Sequence, residues 1–207
     1  LPGIPNAFVA GDYRGGLVPP GTYTLRLILG RDTLGASISV LTPPGTAFPT
    51  TAYRTQEELL LALERQIRDM HHAALRMRLL RDQVRQLVQY FEQEEELREL
   101  AAAGKALLNR LEDWEKTLLE PRQHTAQDII NFPGKLSADC LQLKARIDGA
   151  DPRVTEGATQ RLAELKQAWQ QHRLRMEEII HRELASFKKS FQEKDIPGLI
   201  VPGVNSF

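Results

Sequence analysis

The chain has a single cysteine among its 207 residues, Cys140, so no disulfide can close within it. That leaves the compartment open, because a bundle large enough to bury its own core does without bridges in either setting. Aromatic side chains make up only 6% of the chain, so the core must be mostly leucine and other aliphatics. Charge of one sign is also lacking: 27 basic residues balance 27 acidic ones. A nucleic-acid surface needs clustered lysine and arginine to neutralise phosphates, so nucleic acid is set aside as a partner. No run of about 18 apolar residues exists to span a membrane as a helix, and no basic start leads into an apolar signal-like stretch. Gly-rich phosphate loops, nucleophile elbows and zinc signatures are missing too, so no cofactor is expected.

What is present is helix pattern. Residues 55–120 contain no proline and one glycine, Gly104. Two interleaved seven-residue series run through the first part of this stretch: Leu63, Met70, Met77, Val84, Phe91 and Leu60, Ile67, Ala74, Arg81, Val88. Apolar residues at alternating three and four spacing form one helix stripe, and a sustained seven-residue period is a coiled-coil seam. Thr55-x-x-Glu58 reads as a capping box opening the first helix, predicted over 56–91. The carboxylates of 92–96 (EQEEE) would repel one another inside a helix but suit the positive end of a new one, so a turn is expected there. A second helix is predicted over 97–120, with Leu97, Leu100, Gly104, Leu107, Leu111, Trp114 and Leu118 inward. Gly104 would let a neighbouring helix approach closely. After a loop at 121–133, whose Ile129, Ile130 and Phe132 should fold back on the bundle, a third helix is predicted over 135–148, with Leu136, Cys140, Leu143 and Ile147 inward. Gly149 stops it. Thr155 then caps a fourth helix over 156–193, carrying Leu162, Leu165, Trp169, His172, Met176, Ile180, Leu184, Phe187 and Phe191.

The first 45 residues are different in kind. Residues 22–29 (TYTLRLIL) and 36–41 (ASISVL) alternate like strands, with Gly30-Arg31-Asp32 as the reversal, and Phe8 and Ala10 suggest an earlier strand. An isolated hairpin is marginal in water, so residues 1–45 read as the end of an Ig-like sandwich whose first strands lie upstream. The proline-rich stretch 42–51 (TPPGTAFPTT) leads out of it, and 46–54 is the linker to a bundle spanning 55–195. An apolar tail, 196–207, is expected to pack on the fold. The predicted class is thus mainly α: an elongated up-down-up-down four-helix bundle after a small β segment, tapering to two helices at one end.

Candidate sites are few. His71 and His72 are adjacent, and neighbouring helical residues diverge by about 100°, so they do not form a two-ligand site. Glu178-x-x-His181 fits the di-iron spacing once, but no second copy exists. The 92–99 carboxylates lack the glycine and carbonyl ligands of a calcium loop. Cys140 reads as a small core residue. His172 sits on the seam, where a hydrogen bond inside the bundle is expected. Arg81, the one charge in the inner register of its helix, either snorkels past a seam shifted to Leu80 or forms a register-fixing buried ion pair. No catalytic, cofactor-binding or metal residue is assigned.

Four stretches carry a resemblance: Val18-x-Pro20-Gly21-Thr22-Tyr23-Thr24-Leu25-Arg26-Leu27, then Asp128-Ile129-Ile130-Asn131-Phe132-Pro133-x-Lys135-Leu136, then Gly149-Ala150-Asp151-x-Arg153-x-Thr155, and Asp195-Ile196-Pro197-x-Leu199-Ile200-Val201-Pro202. In these the chain resembles the C-terminal region of the BNR-repeat, sortilin-like "glycosyl hydrolase" proteins of bacteria. The resemblance implies an upstream β-propeller as a partner within one precursor, an Ig-like segment ahead of the bundle and an extracytoplasmic location. It implies an accessory or assembly role, with no propeller residues here to carry sugar chemistry. The function expected is a non-catalytic protein-interaction module. The alternatives are an accessory domain of a propeller hydrolase whose active site lies upstream, and an intracellular coiled-coil adaptor.

Overall fold

A computed structural model describes residues 1, 3, 4, 8, 9 and 11–192. Ala10 of the expected early strand, Glu193 at the end of the fourth helix and the apolar tail at 196–207 lie outside them. The chain is a mainly α bundle preceded by a two-stranded antiparallel sheet. Its elements are β1 (Gly21–Leu29), β2 (Asp32–Val40), α1 (Thr50–Phe91), α2 (Arg98–Leu118), α3 (Leu136–Ile147), α4 (Glu156–Glu178) and α5 (Ala185–Gln192). Short 3₁₀ turns at Glu95–Leu97 and Ala126–Ile130 lead into α2 and interrupt the α2–α3 connection. A π-helical segment, Ile179–Leu184, joins α4 to α5 without a break.

The two seven-residue series of α1 are buried throughout, apart from Arg81. The helix nevertheless begins at Thr50, not beside Thr55, and the capping box does not form: Thr55 is an exposed residue of the second turn. Tertiary anchors override the local signal. Tyr53 is buried, and the Gln56 amide donates to the carbonyls of Ile147 and Gly149, both at 2.8 Å, closing the end of α3. Residues 50–54 therefore belong to the bundle and not to a linker.

The turn after Phe91 falls where the carboxylates predicted it, with Glu95, Glu96 and Glu99 in the opening turns that follow. At Gly104 a Cβ would lie 2.4 Å from Val88 Cγ2 and 3.1 Å from Phe187 Cζ, so only glycine admits the two neighbours. The loop into α3 is held by a capping box of Thr125 and Asp128. It covers less of the bundle than expected, since Ile130 is 83% exposed, Ile129 half-buried, and Phe132 lies under the Arg122 guanidinium, 4.5 Å away. Thr155 caps α4, its hydroxyl accepting from Ala158 N–H.

The helices do not alternate in direction. Along α1, Arg78 meets Glu115, Val88 faces Gly104 and Lys105 pairs with Glu92, so α2 runs antiparallel to α1. Further down, His71 meets Ser137, Gln66 meets Cys140 and Gln56 meets Ile147, so α3 also runs antiparallel to α1. Gln66 also donates to the Leu165 carbonyl, and Phe91 packs on Phe187 and Phe191, which sets the α4–α5 run parallel to α1. The order is up, down, down, up, with α2 and α3 end to end. Lengths explain it: at 1.5 Å per residue α1 spans about 63 Å, and α2 with α3 fills about 50 Å of that side. The bundle is three helices thick, and the expected two-helix taper does not occur.

Ahead of the hairpin, Ile4 and Val9 are buried in the same core and Tyr13 lies against His71, ring centroids 6.0 Å apart. Phe8 is in no strand. Ile4, Val9 and Tyr13 thus pack on the bundle instead of extending the sheet.

Candidate functional site

The residues weighed for chemistry are dispersed. His71 is buried with Nε2 2.8 Å from Ser137 Oγ, whereas His72 is half-buried. Glu178 pairs with Arg175 and Arg182, and His181 is exposed on the π-helical segment. Glu92 to Glu96 are all exposed. Among the described residues no three His, Cys, Asp or Glu side chains gather as metal ligands. Cys140 is fully buried on the inner face of α3, and burial pushes its thiol up to about 12, which keeps it protonated.

Arg81 combines both readings. The seam does shift, leaving Leu80 at 1% exposure, and the guanidinium reaches Glu115 Oε2 at 2.7 Å. Glu115 also accepts from Arg78 Nε at 2.6 Å, so one buried carboxylate on α2 binds two arginines of α1. Two arginines spaced three apart on one helix project to the same side, which is what lets them share an acceptor.

A groove of about 520 Å³ runs between α2 and α4, lined by Arg110, Trp114, Thr117, His172 and Arg175 among others. Its polar groups serve each other. Trp114 Nε1–H donates to the His172 carbonyl at 3.0 Å, Thr117 Oγ1 lies 3.4 Å from His172 Nδ1, and Arg175 binds Glu178 and Glu183. Burial holds the His172 imidazole below its ordinary value and favours the neutral ring. The groove is a helix–helix seam, and among the described residues no carboxylate is bonded to the His172 ring.

The hairpin is the surface without such closure. Its register is unbroken from Gly21↔Val40 to Leu29↔Asp32, closed by a two-residue turn with Gly30 at φ 63°. Period-two alternation puts Tyr23/Ile38, Leu25/Ala36 and Leu27/Leu34 on one face, with Thr22/Ser39, Thr24/Ser37 and Arg26/Gly35 on the other. Leu25, Leu27, Leu34 and Ile38 remain 45–68% exposed. At 3.4 Å per residue and about 4.8 Å between strands, the apolar face is about 300 Å². A patch of that size, or somewhat larger, is the most that a typical monomer exposes. Neither strand carries an internal proline, a lysine or a bulge to blunt its edge. The strands were legible from their alternation; their exposure was not, because it depends on what lies beside them.

Comparison with protein-family models, with curated proteins and with solved structures finds no match for this chain. No helix among the described residues is long and apolar enough to cross a membrane.

Proposed function

We propose that the chain is a non-catalytic structural and protein-interaction module, the C-terminal part of a larger extracytoplasmic bacterial protein. The uncovered apolar face of the β1–β2 hairpin carries this reading. A strand pair with one apolar and one hydroxyl-rich face is the pattern of a half-buried antiparallel sheet, and covering about 300 Å² of it is worth about 7 kcal/mol. The resemblance to the BNR-repeat, sortilin-like proteins supports an Ig-like sheet and a β-propeller of the same precursor as what lies next to it. The bundle then serves as a rigid base, with its polar groups spent internally.

Amide hydrogen exchange in two forms of the protein tests this. In the isolated chain the hairpin amides should exchange rapidly, as for an unsupported two-stranded ribbon. In the whole product of the gene, purified from its native source, the amides of 21–40 should slow at least a hundredfold while those of α1 stay unchanged. Equal, fast exchange in both forms would remove the hairpin as a docking face.

A further inference from the structure

Among the described residues the contacts of the two strands are essentially with each other, so within them the bearing of the hairpin on the bundle depends on its tethers, residues 17–20 and 41–49. Each tether is pinned where it meets the bundle. The second is held at Phe48, which stands edge-on to Tyr53 at 6.3 Å with the Arg153 guanidinium 5.3 Å over its ring. The first is held by a buried charge cluster. The Lys144 side chain on α3 is 1% exposed, and its Nζ donates to the Arg14 carbonyl at 2.7 Å. Glu64 and Asp148 lie 3.9 and 3.7 Å from the same Nζ. Each carboxylate also accepts a backbone N–H at the root of the tether: Gly16 to Glu64 at 2.9 Å, Leu17 to Asp148 at 2.8 Å. A cleft of about 260 Å³, lined by Pro19, Pro20, Tyr23 and Tyr53 among others, lies between the hairpin root and α1.

We propose that Lys144, Glu64 and Asp148 form a clasp that fixes the direction in which the hairpin is presented. Two carboxylates brought together repel unless a cation sits between them. The Lys144 ammonium neutralises both and lets each spend an oxygen on the chain at Gly16 and Leu17. With the ammonium removed, the carboxylates turn to water, the two N–H groups lose their acceptors, and the first tether comes loose while Phe48 still holds the second. The hairpin becomes an arm on one hinge. The biological weight of the clasp rests on the hairpin being the docking face, but its existence does not.

Spin labels at Ile28→Cys and Leu61→Cys, both exposed positions, report the hairpin-to-α1 distance by pulsed electron resonance. Buried Cys140 stays unlabelled. The protein with its clasp intact should give one narrow distribution, and Lys144→Met should widen it at least twofold while circular dichroism shows the helices folded. An unchanged width in a folded Lys144→Met protein overturns the clasp, as does a broad distribution before mutation. Should Lys144→Met fail to fold, Leu17→Pro removes the N–H given to Asp148 and leaves the three charged side chains in place, at a residue whose side chain is 59% exposed. It must produce the same widening, and a narrow distribution there overturns the clasp. These distances are read without any partner, so the clasp and the docking face can fail separately.

Discussion

Arg81 occupies the seam of α1 because Glu115 comes to meet it, and Glu115 is buried because two arginines meet it in turn. The arrangement is asymmetric. Glu115→Gln leaves two part-buried guanidinium groups without their carboxylate and should destabilise the fold by about 3 kcal/mol. Arg81→Met leaves Glu115 still bound by Arg78 and should cost about 1 kcal/mol. Urea unfolding of both variants checks this, and equal losses would mean that the shared carboxylate is not the centre of the cluster. The sequence marks Arg81 as an oddity. It does not choose between Glu112, Asp113 and Glu115 as partner, since that needs the α1–α2 register. The Lys144 cluster is illegible for the same reason, being assembled from residues 14–17, 64, 144 and 148.

At the scale of elements, periodicity was informative and local capping was not. The inward faces of all four predicted helices are buried apart from the half-buried Arg81, Leu97 and His172, while the Thr55 box lost to anchors 91 and 93 residues away from Gln56 in sequence. The π-helical segment also left a trace: the inward positions 172, 176, 180 and 184 are spaced four, four and four, one residue more than the three–four rhythm around them, and Ile179–Leu184 absorbs the excess. Gly104 tests the close approach of α2. Gly104→Ala gains about 1 kcal/mol of helix propensity but must displace Val88, so a net loss of about 1–3 kcal/mol is expected. Val88→Ala in the same chain should recover part of it, and thermal melts of the single and double variants measure the coupling. The α2–α3 connection has its own pH limit. The Arg122 side chain, hydrogen-bonded to Glu120, holds that carboxyl down at about 2, and the His124 and Thr125 amides hold Asp128 below its usual value. Groups depressed in the folded state stabilise it above their unfolded values, near 4.5 for Glu120, and lose that contribution as pH falls toward 2. Amide protection across residues 119–135, taken relative to the intrinsic exchange rate at each pH, should therefore fall over that window while the α1 amides remain protected. Protection that is flat with pH would argue against these bonds.

For the whole molecule, class and helix number were legible and helix direction was not: alternation is the default for short connections, and residues 119–135 carry no mark that they join collinear helices. Among the described residues the strands of the hairpin pair with each other and not with the helices. Leu27→Lys with Leu34→Glu, on its exposed face, should leave the thermal midpoint of the bundle within the small range of surface changes, about 0.5 kcal/mol, and should reduce the binding of a hydrophobic dye. A large drop in the midpoint would show the hairpin to be part of the core. The end-to-end meeting of α2 and α3 has a further consequence. Two columns of the bundle run through and the third is spliced, with the splice beside residues 71–78 of α1. The intrahelical hydrogen-bond ladder of α2 ends at Leu118 and that of α3 begins at Leu136, so no continuous helix carries the third column across it. The protein should therefore come apart as two cooperative blocks, α3 with the lower turns of α1 and α4, and α2 with the upper turns and α5. Native-state exchange in rising denaturant would then sort the amides of α2 and α3 onto two isotherms, and a single shared isotherm would show that α1 and α4 carry the splice as if it were whole.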